Sequence, residues 1–163
     1  MKEVTFKKYG LSPSDVEYYK DIGILPDKRT LKNLINAYNS NFKFDITYIY
    51  DLEKNIGFYV DADYINFLLK NNGGIPSKNS IKNKNVVIDH FLSFKSEYKF
   101  NSLIDLYQEF CTYGLPIART PVGDTVILHA DGKLYLYIHD IGSINKNIGV
   151  LADNFLDLIS KLN

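Results

Sequence analysis

Tryptophan is absent from this 163-residue chain, and cysteine and methionine each occur once. The lone Cys111 cannot close an internal disulfide, so the fold must stand on its core, and the sequence fits a reducing compartment. There is no surplus of either charge, because 19 Lys plus Arg balance 19 Asp plus Glu. Nucleic-acid binders draw much of their affinity from neutralising phosphates and carry a basic excess, so this balance argues against a nucleic-acid partner. Long apolar runs are missing too. The longest are short segments such as Val126-Ile127-Leu128, far below the ~20 residues that span a bilayer. The first eight residues lack the apolar stretch of a signal peptide. Together these absences predict a cytoplasmic protein with no membrane partner.

What is present suffices for one core. A chain of this length buries roughly 68–70% of its unfolded surface. A composition of 45% hydrophobic and 23% charged residues is that of a globular domain. The 13 tyrosines and 10 phenylalanines supply apolar area, and tyrosine adds a polar tip that suits interfaces as well as cores.

Helical signals fill the first half. Ser12-Pro13-Ser14-Asp15 predicts a helix start, with Ser12 as cap, Pro13 at the first helical position and Asp15 at the positive end. Gly23 and Pro26 end that helix. A second helix is expected from about Asp27 to Tyr38, with Leu31, Leu34, Ile35 and Tyr38 on one face. A third begins near Asp45 and presents Ile46, Ile49, Leu52 (or Glu53) and Ile56 before Gly57. A fourth runs from about Asp61, with Tyr64, Phe67 and Leu68 inward, and stops at Asn71-Asn72-Gly73-Gly74. Residues 77–85 read as an exposed polar loop.

The period then changes. Residues 85–94 read as a strand, and Leu103, Leu106, Tyr107 and Phe110 return to helical spacing behind a cap at Asn101 or Ser102. Thr125 to Leu128 and Lys133 to His139 flank Asp131-Gly132, which predicts a β-hairpin with a two-residue turn. In its second strand Leu134, Leu136 and Ile138 alternate with Tyr135, Tyr137 and His139. Ile148 to Leu151 reads as a further strand. Asp153 is the expected cap of a terminal helix carrying Phe155, Leu158, Ile159 and Leu162.

Three ordered blocks carry a family resemblance. The first is Ile49-Tyr50-Asp51-Leu52-Glu53 through Gly57, then Asp63 to Leu68 and Asn72-Gly73-Gly74-Ile75-Pro76. The second is Gly114-Leu115-Pro116-Ile117-Ala118 leading into Gly123-Asp124. The third is Asp131-Gly132, Leu134 to Asp140, and Ala152 to Leu158. In order and spacing they resemble the SUKH superfamily over about 45–162. Tyr59-Val60 stands where that family usually has Leu-Pro, and residues 1–44 lie outside the resemblance and are read as an N-terminal helical extension of a single domain. The resemblance implies an α+β fold, helices packed on a mainly antiparallel sheet. It also implies a non-enzymatic immunity protein that binds a toxin domain, or else a regulatory protein-binding scaffold of the fungal kind. Asn72, Gly73, Gly74, Pro76, Gly123 and Asp124 would then be structural motif positions.

No residue set argues for catalysis, and no metal, cofactor or small-molecule substrate is expected. His129-Ala130-Asp131 offers two metal-ligand types, but Asp131-Gly132 is already explained as a turn. Cys111 could serve as a nucleophile, although a partly buried structural thiol is the plainer reading. Asn72-Gly73-Gly74 lacks the Gly-Lys-Ser/Thr ending of a phosphate loop. His139-Asp140 ends a strand, either bonded to local backbone or contacting a partner. Tyr135, Tyr137, His139 and Asp140 are the candidate partner-binding residues, because they leave the sheet opposite Leu134, Leu136 and Ile138. A remaining alternative is DNA binding, since Glu17-Tyr18-Tyr19 through Leu25-Pro26 is similar to part of MerR-type domains. There a basic residue normally precedes the tyrosines, and here it is Glu17.

Overall fold

The computed structural model describes residues 3–163. The chain runs β1 (Phe6–Lys7), α1 (Pro13–Asp21), α2 (Lys28–Asn39), α3 (Ile46–Ile56), α4 (Ala62–Asn71), β2 (Ile75–Pro76), β3 (Ser80–Ile81), β4 (Val86–Val87) and β5 (His90–Phe91). It continues through α5 (Leu103–Phe110), β6 (Leu115–Arg119), β7 (Thr125–Leu128), β8 (Leu134–Ile138), β9 (Ser143–Ile144), β10 (Val150–Ala152) and α6 (Phe155–Lys161). The class is α+β, and every pair of these strands is antiparallel. No helix among the described residues is long and apolar enough to cross a membrane.

Short polar side chains start the helices by taking up orphan backbone donors. Ser12 and Asp15 form a reciprocal capping box on α1. Asp27, Asp45 and Asp61 cap α2, α3 and α4. At α6 the cap is Asn154, whose Oδ1 accepts from the Asp157 N–H at 2.9 Å, and not the expected Asp153. Asp153 instead donates its own N–H to the Asp157 carboxylate. On α3 the inward residue is Leu52, while Glu53 turns aside and accepts from the Val60 N–H at 2.8 Å.

The main sheet has strand order β10-β8-β7-β6-β5, with β9 also pairing β8. Directly opposed residues share a face. Phe91, Ala118, Val126 and Leu136 therefore lie on one face, and His90, Arg119, Thr125 and Tyr137 on the other. Helices cover both. Phe91 meets Phe67 of α4 and Phe155 of α6 at ring-centroid distances of 5.4 and 6.0 Å, while Tyr137 meets Phe110 of α5 at 5.0 Å. Such two-sided cover explains why all four residues of β7 are buried.

Several local expectations give way to pairing. The β7–β8 loop holds three residues, because the His129 N–H donates to the Lys133 carbonyl and the Gly132 N–H to the His129 carbonyl. Only Gly132 takes positive φ, so Asp131 sits in an ordinary turn conformation. Pro116 lies within a paired strand, tolerated because β6 bulges against β7 between Pro116 and Ala118. The single strand expected over 85–94 is two strands, β4 and β5, in different sheets. The loop expected over 77–85 contains β3, whose Ile81 is buried and bridges to Leu162. One Ile among Lys and Asn was enough to anchor it.

The segment before residue 45 is not only helical. Strand β1 pairs with β2, placing Phe6 opposite Pro76, and the Phe6 ring lies 4.8 Å from Phe67 and 5.6 Å from Phe91. The Asn-Gly-Gly-x-Pro turn is the joint. Asn72 closes α4 in the left-handed conformation and accepts from the Phe94 N–H at 2.9 Å. Gly74 exchanges two backbone hydrogen bonds with Phe91. A Cβ on Gly73 would stand 2.7 Å from the Leu92 carbonyl, so only glycine permits that approach.

Two outcomes test this core. Phe91→Ala should cost about 3–5 kcal/mol in urea unfolding, while Tyr59→Ala at a 90% exposed ring should stay within about 0.5 kcal/mol. Tyr64 is fully buried, its hydroxyl has no hydrogen-bond partner, and burial pushes that hydroxyl far above the ordinary phenol value of 10.0. The neutral phenol is therefore favoured by the fold, so this stability is complete below pH 10.0 and lost as pH climbs beyond it. Tyr64→Phe should raise neutral-pH stability by about 1 kcal/mol and blunt the alkaline loss in a pH series of unfolding curves.

Candidate functional site

The end of the main sheet where β6 meets β7 and β8 meets β9 gathers most of the nominated residues. The loop over 120–124 is fixed from within. Thr120 donates its N–H to the Asp124 carbonyl, and its hydroxyl oxygen accepts from the Asp124 N–H at 3.0 Å. Gly123, at φ 91, donates back to the Thr120 carbonyl. Asp124 then reaches across to the next loop, where its Oδ1 accepts from the His139 N–H at 3.0 Å. That bond sets the Gly123-Asp124 motif to work joining two loops.

His139 and Asp140 are exposed beyond this joint, as are Ile141, next in the chain, at 64% and Val122, in the 120–124 loop, at 79%. Tyr137 is half-buried, packed edge-on between Phe110 and Tyr113. The Tyr113 hydroxyl donates to the Gly142 carbonyl at 3.2 Å and so braces the His139–Gly142 turn. Tyr135 lies at the other end of β8, donating its hydroxyl to Asp131 Oδ2 at 2.8 Å. The four nominated residues thus split: His139 and Asp140 face solvent together, Tyr137 supports them, and Tyr135 belongs to the hairpin turn.

His129 and Asp131 belong to that turn. The Asp131 carboxylate accepts from the Lys133 N–H and the Tyr135 hydroxyl, with His129 Nδ1 3.1 Å from its Oδ1, and the Asp131 N–H donates to that same Nδ1 at 3.3 Å. Burial alone would raise its pKa, but these hydrogen bonds outweigh it and hold the carboxyl below its usual value. Among the described residues no group of three or more His, Cys, Asp or Glu is placed to hold a metal ion. Cys111 is exposed, not the expected partly buried thiol, because it lies just past the last buried residue of α5, Phe110.

Two features escaped sequence reasoning. His90, 4% exposed, bonds Asp89 Oδ2 through Nδ1 at 2.7 Å and stacks on Tyr9 with centroids 3.9 Å apart. A carboxylate only accepts, so Nδ1 carries the proton, and the buried Nε2 is left without a partner. Burial pushes the Tyr9 hydroxyl up, with Tyr98 and Asp89 adding to it. The second feature is a groove of about 480 Å³ beside α3, lined by Tyr50, Glu53, Lys54, Gly57, Phe58 and Tyr59. Tyr59 projects there at 90% exposure. Its position is the one where the family resemblance falters, and that mismatch was the only available signal.

The fold is an α+β domain with helices on both faces of a mainly antiparallel sheet. The chain belongs to the SMI1 / KNR4 family (SUKH-1), whose sequence profile matches residues 44–161. No curated protein sequence and no solved structure matches it.

A chemical test follows for the thiol. A disulfide exchange reagent should label one Cys111 per chain in native protein without denaturant. A thiol that reacts only after unfolding would contradict the placement.

Proposed function

We propose that this protein is a non-enzymatic immunity protein that binds a toxin domain in the cytosol and neutralises it by covering the toxin's active or substrate-binding surface. The observation that carries the reading is membership in the SMI1 / KNR4 family (SUKH-1) over 44–161, a family whose bacterial members the resemblance links to immunity. The sheet-end surface supports it. Val122 and Ile141 supply apolar contact, His139 and Asp140 supply polar specificity, and the Asp124–His139 bond holds both loops ready before a partner arrives. Against a nuclease toxin, the exposed Asp140 carboxylate would stand in for a substrate phosphate.

The test is co-expression with the product of the adjacent gene. The reading expects a stable complex in pull-down and rescue of growth. Val122→Asp with Ile141→Asp should weaken the complex at least about tenfold, since charge in an apolar contact is costly. No complex and no protection would overturn the reading. Capture of an endogenous protein without any protection would favour the regulatory scaffold in its place.

A further inference from the structure

A cleft of about 340 Å³ opens where the N-terminal segment meets the Asn-Gly-Gly turn. Three lysines line it, Lys8, Lys70 and Lys95, and no Asp or Glu does. In a chain with equal numbers of acids and bases, that local excess is unbalanced. Lys70 and Lys95 form no ion pair among the described residues. Lys8 is held in place at the rim, donating to the Ser40 carbonyl at 3.1 Å and standing 5.3 Å from the Tyr38 ring.

The floor adds neutral donors. Asn72 Oδ1 is committed to the Phe94 N–H, which leaves the NH2 end of that carboxamide as a donor. Asn101 is 2% exposed, and its Oδ1 has no partner. Its Nδ2 makes two long bonds of 3.3 Å to the Ser93 and Ser96 hydroxyls. Either hydroxyl can donate as well as accept, and Ser96 Oγ already accepts from the Tyr98 N–H. Half a turn of the carboxamide would let its oxygen accept from both serines and put an amide donor where no protein acceptor stands. Three lysines, the Asn72 NH2 group and, with its carboxamide turned, that of Asn101, in a lining without a carboxylate, match a dianion with several acceptor oxygens. Half-buried Tyr9 and Phe42 on the walls suit an attached organic group.

We propose that this cleft binds a phosphate dianion, either free or carried by a small organic molecule. It is not a phosphate loop, because its lysines come from three separate segments. The proposal is independent of toxin binding.

The experiment is calorimetric titration of the full chain at constant ionic strength, above the second pKa of phosphate. The probes are inorganic phosphate, adenosine monophosphate and adenosine. Saturable binding of both phosphate probes and none of adenosine is expected. Equal affinity for the two would identify free phosphate as the ligand, and tighter binding of the nucleotide an organic phosphate. Lys70→Gln with Lys95→Gln should weaken binding by roughly tenfold or more. Both side chains are exposed, so the variant should keep its circular dichroism spectrum. Lys54→Gln, at a lysine paired with Asp51 outside the cleft, should change nothing. Absence of saturation by either phosphate probe, or equal binding by the double variant, would overturn the proposal.

Discussion

The contact on which the rest depends is the ring cluster around Phe91. From one two-residue strand this side chain touches Phe6, Phe67 and Phe155 with centroids 5.4–6.0 Å apart. It thereby joins the first strand, α4 and the last helix to the sheet. Tyr64 extends the cluster along α4, 5.1 Å from Phe155. Edge-on and tilted rings pack closely without placing negative faces together, so each adds to plain area burial. Large rings reach across gaps between short elements, which is how two-residue strands can sit at the centre of a core.

That cluster also explains the Asn-Gly-Gly turn. The chain must leave α4, pass within contact of the Phe91–Leu92 backbone and then pair with β1. Left-handed Asn72, Gly73 and Gly74 do this in three residues. The cleft lined by Lys8, Lys70 and Lys95 opens beside the same joint.

Much of this was legible in the sequence, and for local reasons. Helix caps and apolar faces are set within four residues, so α1 to α4 could be read directly, as could the inward Ile49, Leu52, Tyr64, Phe67 and Leu68 of α3 and α4. Ile46 is exposed instead, and on α2 the expected face of Leu31, Leu34, Ile35 and Tyr38 is only half-buried while Ala37 is the buried residue. Strand pairing is decided by partners far along the chain. Hence β1, β2, β3, β6 and β9 went unseen, and 85–94 looked like one strand although its halves join different sheets. For the candidate site, alternation marked Tyr135, Tyr137 and His139 as sharing a face. Alternation is silent on what covers a face, and Phe110 and Tyr113 cover Tyr137. Buried His90, paired with exposed Asp89, left no local pattern, because its stacking partner Tyr9 lies 81 residues away in sequence.

The neutralisation by cover proposed above, without chemistry on the toxin, makes a stoichiometric demand. The decisive measurement is titration of the toxin's activity with this protein, followed by release of the toxin from the complex and its intact mass. The account predicts loss of activity that ends at a fixed molar ratio, with toxin recovered active and unchanged in mass. Inactivation by far less than one equivalent, or a toxin of altered mass, would contradict it.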